Sequence, residues 1–284
     1  VTATEPSPSG ARAWLRIPSA KSLITILITL ILVIGEWRFG ITGGYDKLAL
    51  TLGTCVVTEA ALSYFLLGQR PRLQSAYITG TSLSLLLRPA GGLYWPFIVA
   101  GSISIASKYV LRYRGKHLWN PSNFGLALLV LLAPNQVALL SHELGNDVLG
   151  NVVIWTVGLM VASRAKVLHI TVTYATSFAL LALLRSALVG TPVLAELAPL
   201  TGPMYQLLCF FMLTDPPTTV GTLRGRVGVT IVIALVECVF RLANDLEWPL
   251  AELVAPAPPI LALFLIGPLF LALDLRRRGA ATAS

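Results

Sequence analysis

The sequence has little charge. Of its 284 residues, 12% are Asp, Glu, Lys or Arg and 55% are hydrophobic, with a mean hydropathy of +0.76. A soluble domain carries roughly 25% charged residues, so the shortage excludes an ordinary water-soluble fold. Cysteine is scarce as well. Cys55, Cys209 and Cys238 lie inside apolar runs without CxxC spacing, which excludes an iron–sulfur pattern and reads as three small core residues. His117, His142 and His169 have no ligand spacing to one another or to an Asp or Cys, so no metal site is expected. No Ser–His–Asp or GxSxG pattern supports a hydrolase, and no glycine fingerprint supports a dehydrogenase acting alone. The net charge of +8 is not gathered into a basic stripe with interleaved aromatics, which argues against nucleic acid as a partner.

What the chain does have is a succession of apolar runs: 22–35, 48–67, 76–87, 94–110, 124–132, 149–162, 169–188, 204–213, 227–240 and 259–274. At ~20 residues per span a chain of this length holds about ten. The first run is long enough to stay in the membrane, so no cleavable leader is expected. With the N-terminus placed in the cytoplasm, sixteen Lys and Arg fall in inner loops and tails. Only Arg38, Lys47, Arg88, Arg185 and Arg241 fall outside. Such alternation is the signature of a multi-pass protein with both termini cytoplasmic. The predicted fold class is therefore an all-α polytopic membrane protein of about ten transmembrane helices. Residues 1–20 read as a flexible cytoplasmic tail, 21–278 as one membrane domain and 279–284 as a C-terminal tail.

Two of the runs are interrupted. The third stops at Arg88-Pro89, and the eighth at Thr214-Asp215-Pro216-Pro217. Proline lacks an amide hydrogen and pushes the preceding residue out of helical geometry. Each break lies about 65 residues after the start of its half, taken as about 21–138 and 148–275. Five spans per half make the second half inverted relative to the first. Broken helices in matching positions of inverted repeats point to a ligand site between them. The plainer alternative is that both prolines merely end interfacial helices.

GKHLWNPSNFG (Gly115 to Gly125) and FFMLTDPPTTVGTLRGR (Phe210 to Arg226) resemble two characteristic segments of the RnfD/NqrB family. These are membrane subunits of Na⁺-translocating NADH:quinone reductase and of the Rnf complex. The chain as a whole most resembles the stand-alone UnbU branch, associated with enediyne biosynthesis. The resemblance implies two inverted five-helix repeats on a scaffold similar to urea transporters, a bacterial inner membrane, and partner redox subunits or a homo-oligomer. It also implies flavin, either riboflavin or FMN. Family members attach FMN to a threonine just before the sixth span. Here residues 141–148 read SHELGNDV, without threonine, so a covalent threonyl-FMN is not expected; what the resemblance leaves is a non-covalent riboflavin or FMN, or another planar ligand. The rival function on the same scaffold is a channel or transporter for a small solute.

On this reading Asn120, Asn123, Trp119, Thr214, Asp215, Thr218 and Arg88 are the candidate cofactor-binding residues. Amides donate and accept, which suits the carbonyl and imide edge of an isoalloxazine; Asn120 and Asn123 would equally cap the fifth span around Pro121. Asp215 could order its own break by an Asx-type turn with Thr218, or pair with a basic group or ligand. Trp119, Phe124, Phe210 and Phe211 could stack on a flavin or serve as packing and anchors. Glu59, inside the second span, is a candidate proton or ion carrier, or a partner for Arg88 or Arg185. Glu237 lies four residues before Arg241, and a helical ion pair accounts for it.

Overall fold

Every one of the ten apolar runs is helical in the computed structural model, which describes residues 20–140, 147–249 and 251–281. In chain order the helices are α1 (Ala20–Phe39), α2 (Tyr45–Leu67), α3 (Leu73–Leu86), α4 (Trp95–Val110), α5 (Pro121–Leu132) and α6 (Val148–Arg164). The others are α7 (Leu168–Val189), α8 (Val193–Leu197), α9 (Pro203–Leu207), α10 (Leu223–Asp245), α11 (Ala251–Val254) and α12 (Pro258–Ala281). Five of them, α1, α2, α7, α10 and α12, are long and apolar enough to cross a membrane. The molecule is built as an all-α membrane protein.

The side-chain distribution fits lipid rather than water as the solvent. On α2 the buried residues are Thr51, Cys55, Glu59 and Ser63, one face at helical spacing. The opposite face exposes Val57, Tyr64 and Phe65. On α7 the inward face carries Thr171, Tyr174 and Arg185, while Leu180, Leu184 and Leu188 point outward. In water this arrangement would be inverted; in a bilayer it puts polar groups where other helices can satisfy them.

Within the first half α2 lies against α3 and α4, and α4 against α5; within the second, α7 lies against α10 and α10 against α12. The halves meet through α1 with α6, α3 with α9, and α5 with α12. Small residues permit these close approaches. A Cβ on Gly125 would stand 2.0 Å from the Ser104 hydroxyl and 3.0 Å from the Ala100 carbonyl oxygen, so α5 rests directly on the α4 backbone. Gly125→Val is expected to destabilise the protein by about 1–3 kcal/mol through overpacking. Thermal unfolding in detergent checks this, and an unchanged midpoint would contradict the packing described.

The two breaks have different structures. After α3 the chain becomes β1 (Leu87–Pro89) and pairs antiparallel with β4 (Val137–Leu139), Arg88 opposite Ala138. The stretch after α5 therefore closes the first break with backbone hydrogen bonds. Residues of that loop from 141 to 146, where the missing FMN threonine was sought, lie outside the described residues. The second break follows a π-helical turn, Leu208–Met212, and ends in a 3-10 turn at Pro216–Thr218. Between α4 and α5, strands β2 (Arg112–Tyr113) and β3 (Lys116–His117) form a tight hairpin. Its two central residues, Arg114 and Gly115, both have positive φ, 49° and 82°. That is the backbone of a two-residue hairpin turn, and glycine takes one of the two positions without strain.

Candidate functional site

A cavity of about 320 Å³ opens where the β2–β3 hairpin, the start of α5, the α6–α7 connection and the second break converge. Its size lies within the range of small-molecule sites, roughly 300–1,000 Å³. Asn120 stands at its edge as the N-cap of α5. Its side-chain oxygen accepts from the Asn123 amide at 3.2 Å, and its Nδ2 donates to Asp215 Oδ2 at 3.3 Å. Asn120 therefore both caps α5 and lines the cavity. Asp215 Oδ2 also accepts from the Thr218 hydroxyl at 3.1 Å, and the Thr219 hydroxyl donates to the Asp215 carbonyl at 2.5 Å. This network replaces the helical hydrogen bonds that Pro216 and Pro217 cannot make. Thr214 lines the cavity, with its hydroxyl turned back onto the Phe210 carbonyl at 2.7 Å.

The opposite wall is charged. Glu59 is 1% exposed and accepts from Lys108 Nζ at 2.5 Å, from the Tyr109 hydroxyl at 3.0 Å and from the Arg72 amide at 3.2 Å. The partners expected from sequence, Arg88 and Arg185, are not its partners. Arg88 donates to the Ser84 and Leu87 carbonyls at the first break, and Arg185 pairs with Glu196 and Asp245. The reason is reach: Glu59 lies towards the C-terminal end of α2, level with the end of α4, whereas both arginines lie at the other end of the helices.

Not every expected residue faces this cavity. Arg88 belongs to the first break and does not line it. Asn123 is 1% exposed, with Nδ2 on the Ile260 carbonyl at 2.8 Å, which ties α5 to α12. Trp119 donates to the Phe264 carbonyl at 2.9 Å and packs with Phe124 and Phe264. Phe210 packs edge-on against Trp155. Trp119, Asn123 and Thr218 line a separate void of about 30 Å³, the size of a water. Of the four aromatics proposed for stacking, Phe211 alone lines the large cavity. The two breaks do not enclose one pocket between them: the second break walls the cavity, and the first is sealed by its strand pair.

Sequence reasoning missed several groups that do line it. Ser75, Thr79 and Ser82 recur at helical spacing along α3. The hydroxyls of Thr79 and Ser82 donate to carbonyls one turn back, at 3.0 and 2.9 Å, so their oxygens remain acceptors towards the cavity. Lys108 and Arg112 were read as basic residues of the inner side, and His117 as a histidine without ligand spacing. The legible signal was the hydroxyl-rich run Thr79 to Ser84 inside an apolar helix.

His117 is held neutral at pH 7. Burial first, then the positive charges of Lys108, Arg112, Arg72 and Lys116, bring its pKa from 6.5 down to about 4. The unfolded chain binds this proton near 6.5 and the folded protein refuses it until about 4, so stability falls as pH drops through that window. The whole gap corresponds to about 3 kcal/mol. His117→Asn is expected to flatten the loss of thermal stability between pH 6.5 and 4.5; an equally steep loss in the variant would contradict the assignment.

No protein-family model matches the chain, and no curated protein matches it either.

Proposed function

We propose that the chain is a flavin-binding, electron-transferring membrane subunit of RnfD/NqrB type. It acts with partner proteins in a bacterial inner membrane, in the manner of the UnbU branch that it resembles. One observation carries this reading. The two segments that bear the resemblance meet at a single cavity, with Asn120 hydrogen-bonded to Asp215 across a separation of 95 residues. Ten spans in two inverted repeats, with both termini cytoplasmic, complete the proposal. The contacts between equivalent helices, α1 with α6, α3 with α9 and α5 with α12, support a two-fold relation of the halves.

The lining suits a non-covalent riboflavin or FMN. Asn120 keeps a second amide hydrogen for a ligand carbonyl, and the α3 hydroxyl oxygens accept from ring N–H or ribityl groups. Phe211 and Met212 give apolar and sulfur contact with a flat ring. Arg72 and Arg112, beyond the neutralised Glu59–Lys108 pair, favour an anionic ring or a terminal phosphate. A bound isoalloxazine supplies the one- and two-electron chemistry; the chain's own groups hold it, keep bulk water away and bias its charge.

The absorption spectrum of the purified protein, before and after acid precipitation, tests the proposal. The expected result is a flavin band released into the supernatant by acid. Asp215→Asn and Asn120→Ala should each weaken retention by about tenfold, the equivalent of one hydrogen bond to the ligand network. A colourless protein, or full occupancy in both variants, would contradict it. The Ser75–Thr79–Ser82 row running into the bundle beside α9 favours the second reading, a transporter for a small uncharged solute. Solute flux through colourless protein in liposomes would select that reading.

A further inference from the structure

The second half contains a buried polar cluster that the cavity above does not use. Glu237 of α10 is 1% exposed. One of its oxygens accepts from the Tyr205 hydroxyl at 2.6 Å, and the other from the Tyr174 hydroxyl. Arg241, expected as its helical ion-pair partner, pairs with it across one turn at 4.0 Å and also donates to the Tyr205 oxygen at 2.8 Å. Next to it Arg185 pairs with Glu196 and with Asp245. Three carboxyls and two guanidiniums thus share one site.

Charges are costly at this depth unless paired, and the count leaves one negative charge in excess. A second cavity adjoins the cluster. A cavity of about 200 Å³ at the Arg185 end of α7, opposite the large cavity, is lined by Tyr205, Arg185, Arg241, Asn244 and Asp245. Tyr205 therefore touches both the buried carboxyl and the second cavity.

We propose that Glu237 is a proton-binding site loaded from this second cavity through Tyr205. A proton from cavity water binds a lone pair of the Tyr205 oxygen while the existing Tyr205 O–H breaks and its hydrogen passes to Glu237. Tyr205 ends as a neutral phenol and Glu237 as a neutral acid, with one proton taken from solution. The Glu237 O–H then donates to the Tyr205 oxygen, on the lone pair the transferred hydrogen left, while the new Tyr205 O–H faces the cavity. Tyr174 of α7 goes on donating to the other Glu237 oxygen, now to a neutral acceptor, so protonation weakens a hydrogen bond between α7 and α10.

The groups facing Glu237 are Tyr174 and Arg185 of α7, Tyr205 and Cys209 of the α9 segment, and Cys238 and Arg241 of its own helix. Glu196 of α8 and Asp245 of α10 reach it through the arginines. α12 carries no titratable residue before Asp274, and α11 carries only the exposed Glu252. The site stands apart from whatever fills the large cavity.

Infrared difference spectra of the full chain in lipid nanodiscs, acid minus neutral and in H₂O against D₂O, test the proposal. The expected result is a protonated-carboxyl carbonyl band that shifts in D₂O and is lost in Glu237→Gln. Tyr174→Phe removes a donor to the ionised form and should raise the midpoint of this band by about one pH unit or more. Tyr205→Phe should slow its appearance after a pH jump by about tenfold. A wild-type protein without the band, or a folded Glu237→Gln that keeps it, would overturn the assignment. Should Glu237→Gln fail to fold, an unmoved midpoint in Tyr174→Phe overturns it instead, and an unchanged rate in Tyr205→Phe removes the relay.

Discussion

Replacing Glu59 with alanine is expected to cost about 3–5 kcal/mol of stability, enough to lose most folded protein at growth temperature. Glu59 is 1% exposed and the Lys108 side chain 10%, so neither charge has bulk water to fall back on. The substitution removes the carboxylate from Lys108 Nζ, the Tyr109 hydroxyl and the Arg72 amide together. What is lost is mainly the compensation of a cation already desolvated, not the net worth of the pair. Glu59→Leu with Lys108→Met should therefore recover most of the loss, because that double variant leaves no unbalanced charge. Unfolding midpoints of the single and double variants in detergent check both statements. A Glu59→Ala protein within about 0.5 kcal/mol of wild type would mean the pair is solvated.

Arg185→Met is expected to be of similar severity, about 3–5 kcal/mol. Arg185 is 6% exposed, and its guanidinium lies between Glu196, 4% exposed, and Asp245. Methionine keeps the length of the side chain and fills the space, so the effect reports charge rather than a hole. The contrast is Arg278→Ala. Its i,i+4 pair with Asp274 has a half-exposed arginine, and pairs of that kind are worth about 0.3–0.5 kcal/mol. Comparable effects at Arg185 and Arg278 would contradict the burial assigned to the first.

Element positions were largely legible in the sequence, because apolar runs ended by Arg, Lys, Gly and Pro are what a helix entering lipid requires. Predicted runs 48–67 and 169–188 differ by only a few residues from α2 and α7. The helix end ahead of Asp215 was legible for a local reason, the two prolines after it. The partners of polar groups were not legible. Glu59 and Lys108 are 49 residues apart, and Tyr174 and Glu237 are 63 apart. Their meeting depends on how each helix is rotated and where the helices cross, and a helix apolar on several faces carries little record of either. The first break was misread for a similar reason. Its closure needs Val137–Leu139, a three-residue strand too short to leave an alternating pattern. Asn123 was placed with the ligand for its amide and Trp119 for its ring, and side-chain chemistry does not fix which way a residue points. At the start of α5 Pro121 and Ser122 line the large cavity, whereas the Asn123 side chain is bonded to α12.

The most direct measurement of the central claim is a riboflavin titration, followed by flavin fluorescence, into wild-type protein and into Thr79→Trp. That substitution places an indole within the cavity and leaves Asn120, Asp215 and the Glu59–Lys108 pair untouched. Saturable binding to wild type that weakens at least about tenfold in a Thr79→Trp protein with unchanged melting is the predicted result. Equal binding to both proteins, or none to either, would contradict it.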